Sequence, residues 1–223
     1  DTFLNEMANA SATPVFQECL RTLRAFFPGE AAYIDAISPR ISGSVTLSTL
    51  HGCPPDEIER IASYLLEVKH LHTFVKCNPT LLGYDTARSI LDGMGYDYIA
   101  FDDHHFKEDL QYADAVPMFH RLRHLADQEG LEFGLKLSNT FPVDVKAGEL
   151  PSEEMYMAGK SLFPLTTAMA ARIAREFGGK LRLSYAGGAD AFNVGKLFEI
   201  GIWPITMATT VLKPGGYQRF TQI

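Results

Sequence analysis

Between residues 44 and 210 the sequence alternates between short β-rich runs and longer amphipathic stretches. That rhythm constrains the fold more than any other feature. Short strand-like runs occupy residues 44–50, 72–76, 98–101, 132–137, 181–185 and 204–208. Helical stretches occupy residues 56–66, 86–93, 113–129, 164–177 and 190–200. In the first of these, Ile58, Ile61, Ala62, Leu65 and Leu66 form an apolar stripe, and Asp56 and Glu57 suit the positive end of the helix dipole. Gly130 and Gly201 stop later helices. Residues 142–157 read as a polar loop. Six strands with a helix after most of them call for an α/β fold, a parallel sheet with helices outside it.

A doubly wound sheet and an eight-stranded (β/α)8 TIM-type barrel both satisfy that rhythm, and the last two units favour the barrel. One strand runs into Gly187-Gly188, and the next runs into Thr209-Thr210 and then Gly215-Gly216. This suits a phosphate corner after the final two strands of a barrel. No GxGxxG follows any strand, which weakens the dinucleotide-fold reading. The expected organisation is a helical lead-in over 1–43 and the C-terminal portion of a barrel over 44–223. A full barrel needs two or three more strands upstream. The chain starts at Asp1 without an initiator Met or a signal-peptide pattern, so it is expected to be a piece of something longer, its missing strands either removed or supplied by another segment.

Of 223 residues 46% are hydrophobic and 21% charged, enough to bury a core. A net charge of −7 argues against binding nucleic acid or an anionic membrane non-specifically. It leaves room for one phosphate site, which needs only backbone N–H groups and a cation. Cys19, Cys53 and Cys77 form no CxxC, so a disulfide framework, an iron–sulfur site or a structural zinc within this chain is not expected. The setting read from this is cytoplasmic and reducing. No apolar run approaches the roughly 18–20 residues that a membrane span needs.

In a barrel the strand C-terminal ends converge on one mouth. Read in order they supply Thr49 and His51, Lys76 and Asn78, Asp102 to His104, Lys136 and Ser138 to Thr140, Gly187-Gly188, and Thr209-Thr210. Lys76 stands out, because an ammonium at the end of a buried strand must face something polar. It either sits beside a cofactor or substrate anion, or it pairs with a neighbouring carboxylate such as Asp102. Gly187-Gly188 suits close approach of backbone to a ligand, or a plain turn ahead of Asp190. Cys53 lies at a strand-to-helix turn, where a helix N-terminus activates a thiol, or it is a small residue in a rigid turn. Asp102-Asp103-His104-His105 reads as a solvated loop rather than as metal ligands, since alternate residues face opposite ways. No metal site is assigned.

Several stretches resemble the FMN barrel of dihydropyrimidine and dihydroorotate dehydrogenases. They are Leu-Ser-Thr-Leu-His-Gly-Cys-Pro-Pro (47–55), Phe-Val-Lys-Cys-Asn-Pro-Thr (74–80), Lys-Leu-Ser-Asn-Thr (136–140), Met-Ala-Gly-Lys-Ser (157–161) and Ser-Tyr-Ala-Gly-Gly (184–188). The likeness covers residues 44–217 and is closest to the large iron–sulfur flavoproteins described as selenate reductase subunits. It implies a fragment of a flavin-dependent oxidoreductase barrel with FMN at the mouth. Lys76 would contact the flavin, and Asn139 and Thr140 would face substrate and flavin. Gly159, Gly187, Gly188, Thr209 and Thr210 would hold the FMN phosphate. Cys53 lies near the family's Ser-Cys-Pro turn and is kept as a catalytic candidate. It is not equated with the family's proton-donating cysteine, whose loop is absent here. Iron–sulfur clusters and FAD would sit on other parts of a longer polypeptide.

Two other readings stay open. One is a lyase or aldolase of the same fold, with Lys76 or Lys136 as a Schiff-base nucleophile. The other is a non-catalytic scaffold for electron-transfer modules. The expected partners are a small-molecule substrate, other electron-transfer domains or subunits, and a second copy through an open barrel edge.

Overall fold

The computed structural model describes residues 1–49 and 51–223. Leu50, the last residue of the expected first strand, lies outside the described residues. The chain divides into two compact units, Asp1–Val45 and Thr46–Ile223.

The first unit is helical: α1 (Thr2–Ala8), α2 (Pro14–Phe26) and α3 (Ala31–Asp35). Thr13 caps α2 through its hydroxyl, which accepts from the Phe16 N–H at 3.3 Å, and Pro14 occupies the first helical position. Arg24 pairs with Asp35 at 2.7 Å, joining α2 to α3.

The second unit carries the sheet. Its strands are β1 (Ser44–Ser48), β2 (His72–Cys77), β3 (Phe133–Leu137), β4 (Phe141–Asp144), β5 (Glu154–Met157) and β6 (Arg182–Tyr185). The helices are α4 (Pro55–Glu67), α5 (Tyr84–Gly93), α6 (His104–Glu108), α7 (Tyr112–Gln128), α8 (Phe163–Glu176), α9 (Val194–Glu199) and α10 (Thr209–Leu212). The main sheet runs β1-β2-β3-β6, and the β2–β3 and β3–β6 pairings are parallel. Tyr185 and Ile205 form one further parallel bridge beyond β6.

Side-chain alternation sorts the sheet into two faces. Val75, Cys77, Leu135, Leu137, Leu183 and Tyr185 join one core with Ile58, Ala62 and Leu66 of α4, Met118, Phe119 and Leu122 of α7, and Leu165, Met169 and Ile173 of α8. The other face, the inside of the barrel, is built in rows. Phe74, Gly134 and Arg182 form one row; Lys76, Lys136 and Ser184 form the next, nearer the C-terminal ends. Gly134 is required there, because a Cβ would lie 2.6 Å from the Phe74 ring.

Three expectations need correction. Residues 98–101 form no strand: the Tyr96 and Ile99 carbonyls accept from Arg88 at 3.0 and 2.6 Å, so a guanidinium takes the place of a ladder. Residues 142–157 are not a plain loop, since β4 and β5 pair as an antiparallel hairpin. Ile205 makes only the single bridge, so Thr209 and Thr210 follow no full strand and open α10 instead. Among the described residues no helix is long and apolar enough to cross a membrane.

Candidate active site

Lys76 and Lys136 are register partners on adjacent strands, so their Cα atoms lie only about 5 Å apart. Both side chains are half-buried, and neither has a hydrogen-bonding or ionic partner among the described residues. The expected alternative for Lys76 does not form: the Asp102 carboxylate instead accepts from the His104 N–H at 2.9 Å. Burial lowers the Lys76 pKa. Burial, and then the charge of Lys76, lowers that of Lys136. Two ammonium groups are thus held together where a water-poor surface penalises both.

Just beyond them sits a network centred on Asp109, whose side chain is only 2% exposed. Its carboxylate accepts from His51 Nδ1 at 2.8 Å and from the Gly52 N–H at 3.0 Å. It also accepts from Asn78 Nδ2 at 3.0 Å and the Thr80 hydroxyl at 2.6 Å. Asn78 in turn accepts from Asn139 Nδ2 at 2.8 Å, which ties the end of β3 to the network. Burial pushes the Asp109 pKa up, but the bonds from His51, Thr80 and Gly52 outweigh it and hold it below the usual carboxylate range. The bond to Asp109 raises the His51 pKa against burial, aided by the charges of Asp109 and Glu154. The β4–β5 hairpin adds a second imidazole–carboxylate pair, His105 to Glu154 at 2.8 Å, and the Tyr156 ring lies 6.4 Å from that of His51.

A third cluster lies at the end of β6. A Cβ on Gly188 (φ +86°) would overlap the Gly159 carbonyl, and one on Gly187 would overlap the Thr166 side chain. A Cβ on Gly159 would come within 2.9 Å of Thr209. These glycines let two loops and the start of α10 close on one another. Beside them is a cavity of about 420 Å³ whose lining includes Gly159, Thr209, Thr210, Lys160, Lys213 and Arg219. Lys160 pairs with Asp190 at 2.5 Å, and the Thr210 hydroxyl donates to the Ala189 carbonyl at 2.9 Å. Three cations face one carboxylate in a pocket large enough for a phosphate group.

The family model described as the N-terminal TIM-barrel domain of oxidoreductase YgfK matches residues 1–223. The chain belongs to that family. It is 46% identical over 234 residues to "Putative oxidoreductase YgfK" of Escherichia coli K12, and equally to its counterpart in Escherichia coli O157:H7. The match covers 98% of this chain and 23% of each relative, so the chain spans about a quarter of their length. A crystal structure of DHODH from Eimeria tenella in complex with ferulenol aligns with 71% of this chain and 48% of its own. Its identity is 14% and its TM-score 0.35, a likeness too loose to carry an argument.

Within this YgfK-type barrel the expected residues divide. Lys76 and Cys53 line one small cavity together with Asp109. Gly159, Gly188, Thr209 and Thr210 line one small cavity at the corner, and Gly187 packs beside it against Thr166. Asn139 is engaged with Asn78, and Thr140 is exposed and makes no hydrogen bond among the described residues. Burial raises the Cys53 pKa, and Glu57 and Asp56 raise it further. The chief residue missed is Asp109, which follows α6 and ends no strand. His51, Lys136 and Asn78 stood among the strand ends, but only their pairing shows what they do. Lys160 was signalled only by its place next to Gly159.

Proposed function

We propose that this domain is the FMN-binding barrel of a multidomain oxidoreductase. The row of Lys76 and Lys136 carries the proposal: two half-buried cations at a barrel mouth, without a counterion among the described residues, suit a bound anion. The corner pocket fits the other end of the same cofactor, with Gly159, Thr209, Lys160, Lys213 and Arg219 around a phosphate. Bound FMN supplies hydride or electron transfer. The chain's own residues bind and orient it, and the lysines favour negative charge on whatever lies over them. A small anionic acceptor, of which selenate is one example, suits the same charge. Iron–sulfur and FAD modules elsewhere on a longer polypeptide are the proposed electron partners, and pairing of two copies along β1 is the proposed self-association. The free thiols of Cys19, Cys53 and Cys77 suit a cytoplasmic location.

Full-length protein should purify yellow and release FMN on denaturation. The double variant Lys76→Ala, Lys136→Ala should weaken FMN binding by about 100-fold, at roughly tenfold per lost charge contact. A colourless protein that gives no spectral shift with added FMN overturns the proposal.

A second reading rests on the same lysines. Lowered ammonium pKa values favour the free amine, the form that attacks a carbonyl. Borohydride treatment in the presence of pyruvate should then leave a mass adduct on Lys76 or Lys136, and the lack of one removes this reading.

A further inference from the structure

We propose that His51 is the proton-transfer residue of the barrel mouth, with Asp109 as its positioning residue. The proposal rests on the reading of the mouth as a reaction site. His51 Nδ1 lies 2.8 and 3.0 Å from the two Asp109 oxygens, so this nitrogen carries the hydrogen and donates it. Nε2 then becomes the exchanging position. It has no partner among the described residues, and the side chain is 26% exposed. A buried carboxylate that orients one imidazole nitrogen and leaves the other open is the arrangement that general acid–base catalysis requires.

The remaining Asp109 ligands argue against a purely structural clamp. Gly52, Asn78 and Thr80 already satisfy the carboxylate and tie the β1–α4 turn to the end of β2. The imidazole is the member of the set with an open, titrating nitrogen. The groups facing it are Asp109, Glu154, His105, whose ring centroid is 5.2 Å away, and Tyr156. Lys76 lines the cavity that Asp109 also lines. His105 Nδ1 is buried and lacks a hydrogen-bond partner among the described residues, so the second imidazole also has an unused nitrogen in this cluster.

The step balances simply. The imidazolium Nε2–H bond breaks, the proton forms a bond to an acceptor atom of the bound molecule, and the electron pair of the broken bond stays on Nε2. Neutral His51 recovers a proton from solvent, and the reverse sequence makes it a base.

The test uses full-length protein and diethylpyrocarbonate, which acylates neutral, accessible imidazole. Peptide mass mapping should show His51 modified, with a rate that titrates at a midpoint above the ordinary value of 6.5. Asp109→Asn should lower that midpoint by about one pH unit or more. Thr80→Val keeps the carboxylate and removes one of its donors, so it should raise the midpoint; it decides the matter if Asp109→Asn does not fold. His51 left unmodified between about pH 5 and 9, while the exposed His70 and His104 react, overturns the proposal. So does a midpoint that moves in neither variant. Flavin content is read on the same samples. Yellow protein with an unreactive His51 overturns this inference alone; colourless protein with the expected titration overturns the flavin reading alone.

Discussion

Lys76 and Asn78 sit two residues apart at the end of β2, and the groups around them treat charge in opposite ways. Asn78 belongs to the Asp109 network, where one buried carboxylate receives four donors. Lys76 belongs to a row with Lys136, where two ammonium groups share a half-buried surface and have no hydrogen-bonding or ionic partner among the described residues. The first is electrostatically finished by the fold. The second is not, so under the proposed function the two differ in whether they stabilise the protein or serve a ligand.

The largest expected effect tests the finished side. Asp109→Ala removes the acceptor from four donors at once and should cost about 3–5 kcal/mol. Hydrogen exchange in β2 across a urea series measures it, and a cost under about 1 kcal/mol breaks the contrast. Next comes Gly188→Ala at the corner. Its Cβ would overlap the Gly159 carbonyl at a φ of +86°, so the loops should part at a cost of roughly 1–3 kcal/mol. Thermal unfolding and FMN retention should fall together; a loss of FMN with no loss of stability would place the defect in the ligand contact instead.

The smallest effect has the opposite sign. Lys76→Met should stabilise the domain at neutral pH by about 0.5 kcal/mol, a modest gain because water still screens a half-exposed ammonium. The folded-state pKa of Lys76 lies below the ordinary 10.5, so the unfolded chain binds more protons across the interval between the two. Wild type therefore gains stability as pH rises through that interval, and the advantage of Met should shrink over the same range. An advantage that grows with pH would show that the lysine stabilises the fold.

Much of this was legible along the chain. Alternating residues on β2 and β3 already put Val75, Leu135 and Leu137 on one face and Lys76 and Lys136 on the other. Gly187, Gly188 and Thr209 were legible as one corner, and Gly159 joined them only through the family resemblance; the approach of one loop to another, which the glycines permit, was not legible. Asp109 was not legible. It lies 58 residues from His51 and ends no strand, so only the folded chain brings the two together. The β4–β5 hairpin was hidden because Pro142 interrupts its first strand and its alternation is short. Residues 98–101 misled in the other direction, having strand-like composition but carbonyl neighbours claimed by Arg88.

By itself the sequence determined the strand–helix alternation, the parallel α/β sheet that follows from it, and the polar character of the strand ends. Periodicity is local, and it reports which face each residue occupies whatever lies far along the chain. Only the tertiary structure decided which strand-end groups are used up and which are left over. His51, Asn78 and Asn139 find partners through loops that close across 31 to 61 residues, while Lys76 and Lys136 are register neighbours that meet no carboxylate among the described residues. Hydrogen-bond partners are set by those long closures, and so is the charge left at the mouth.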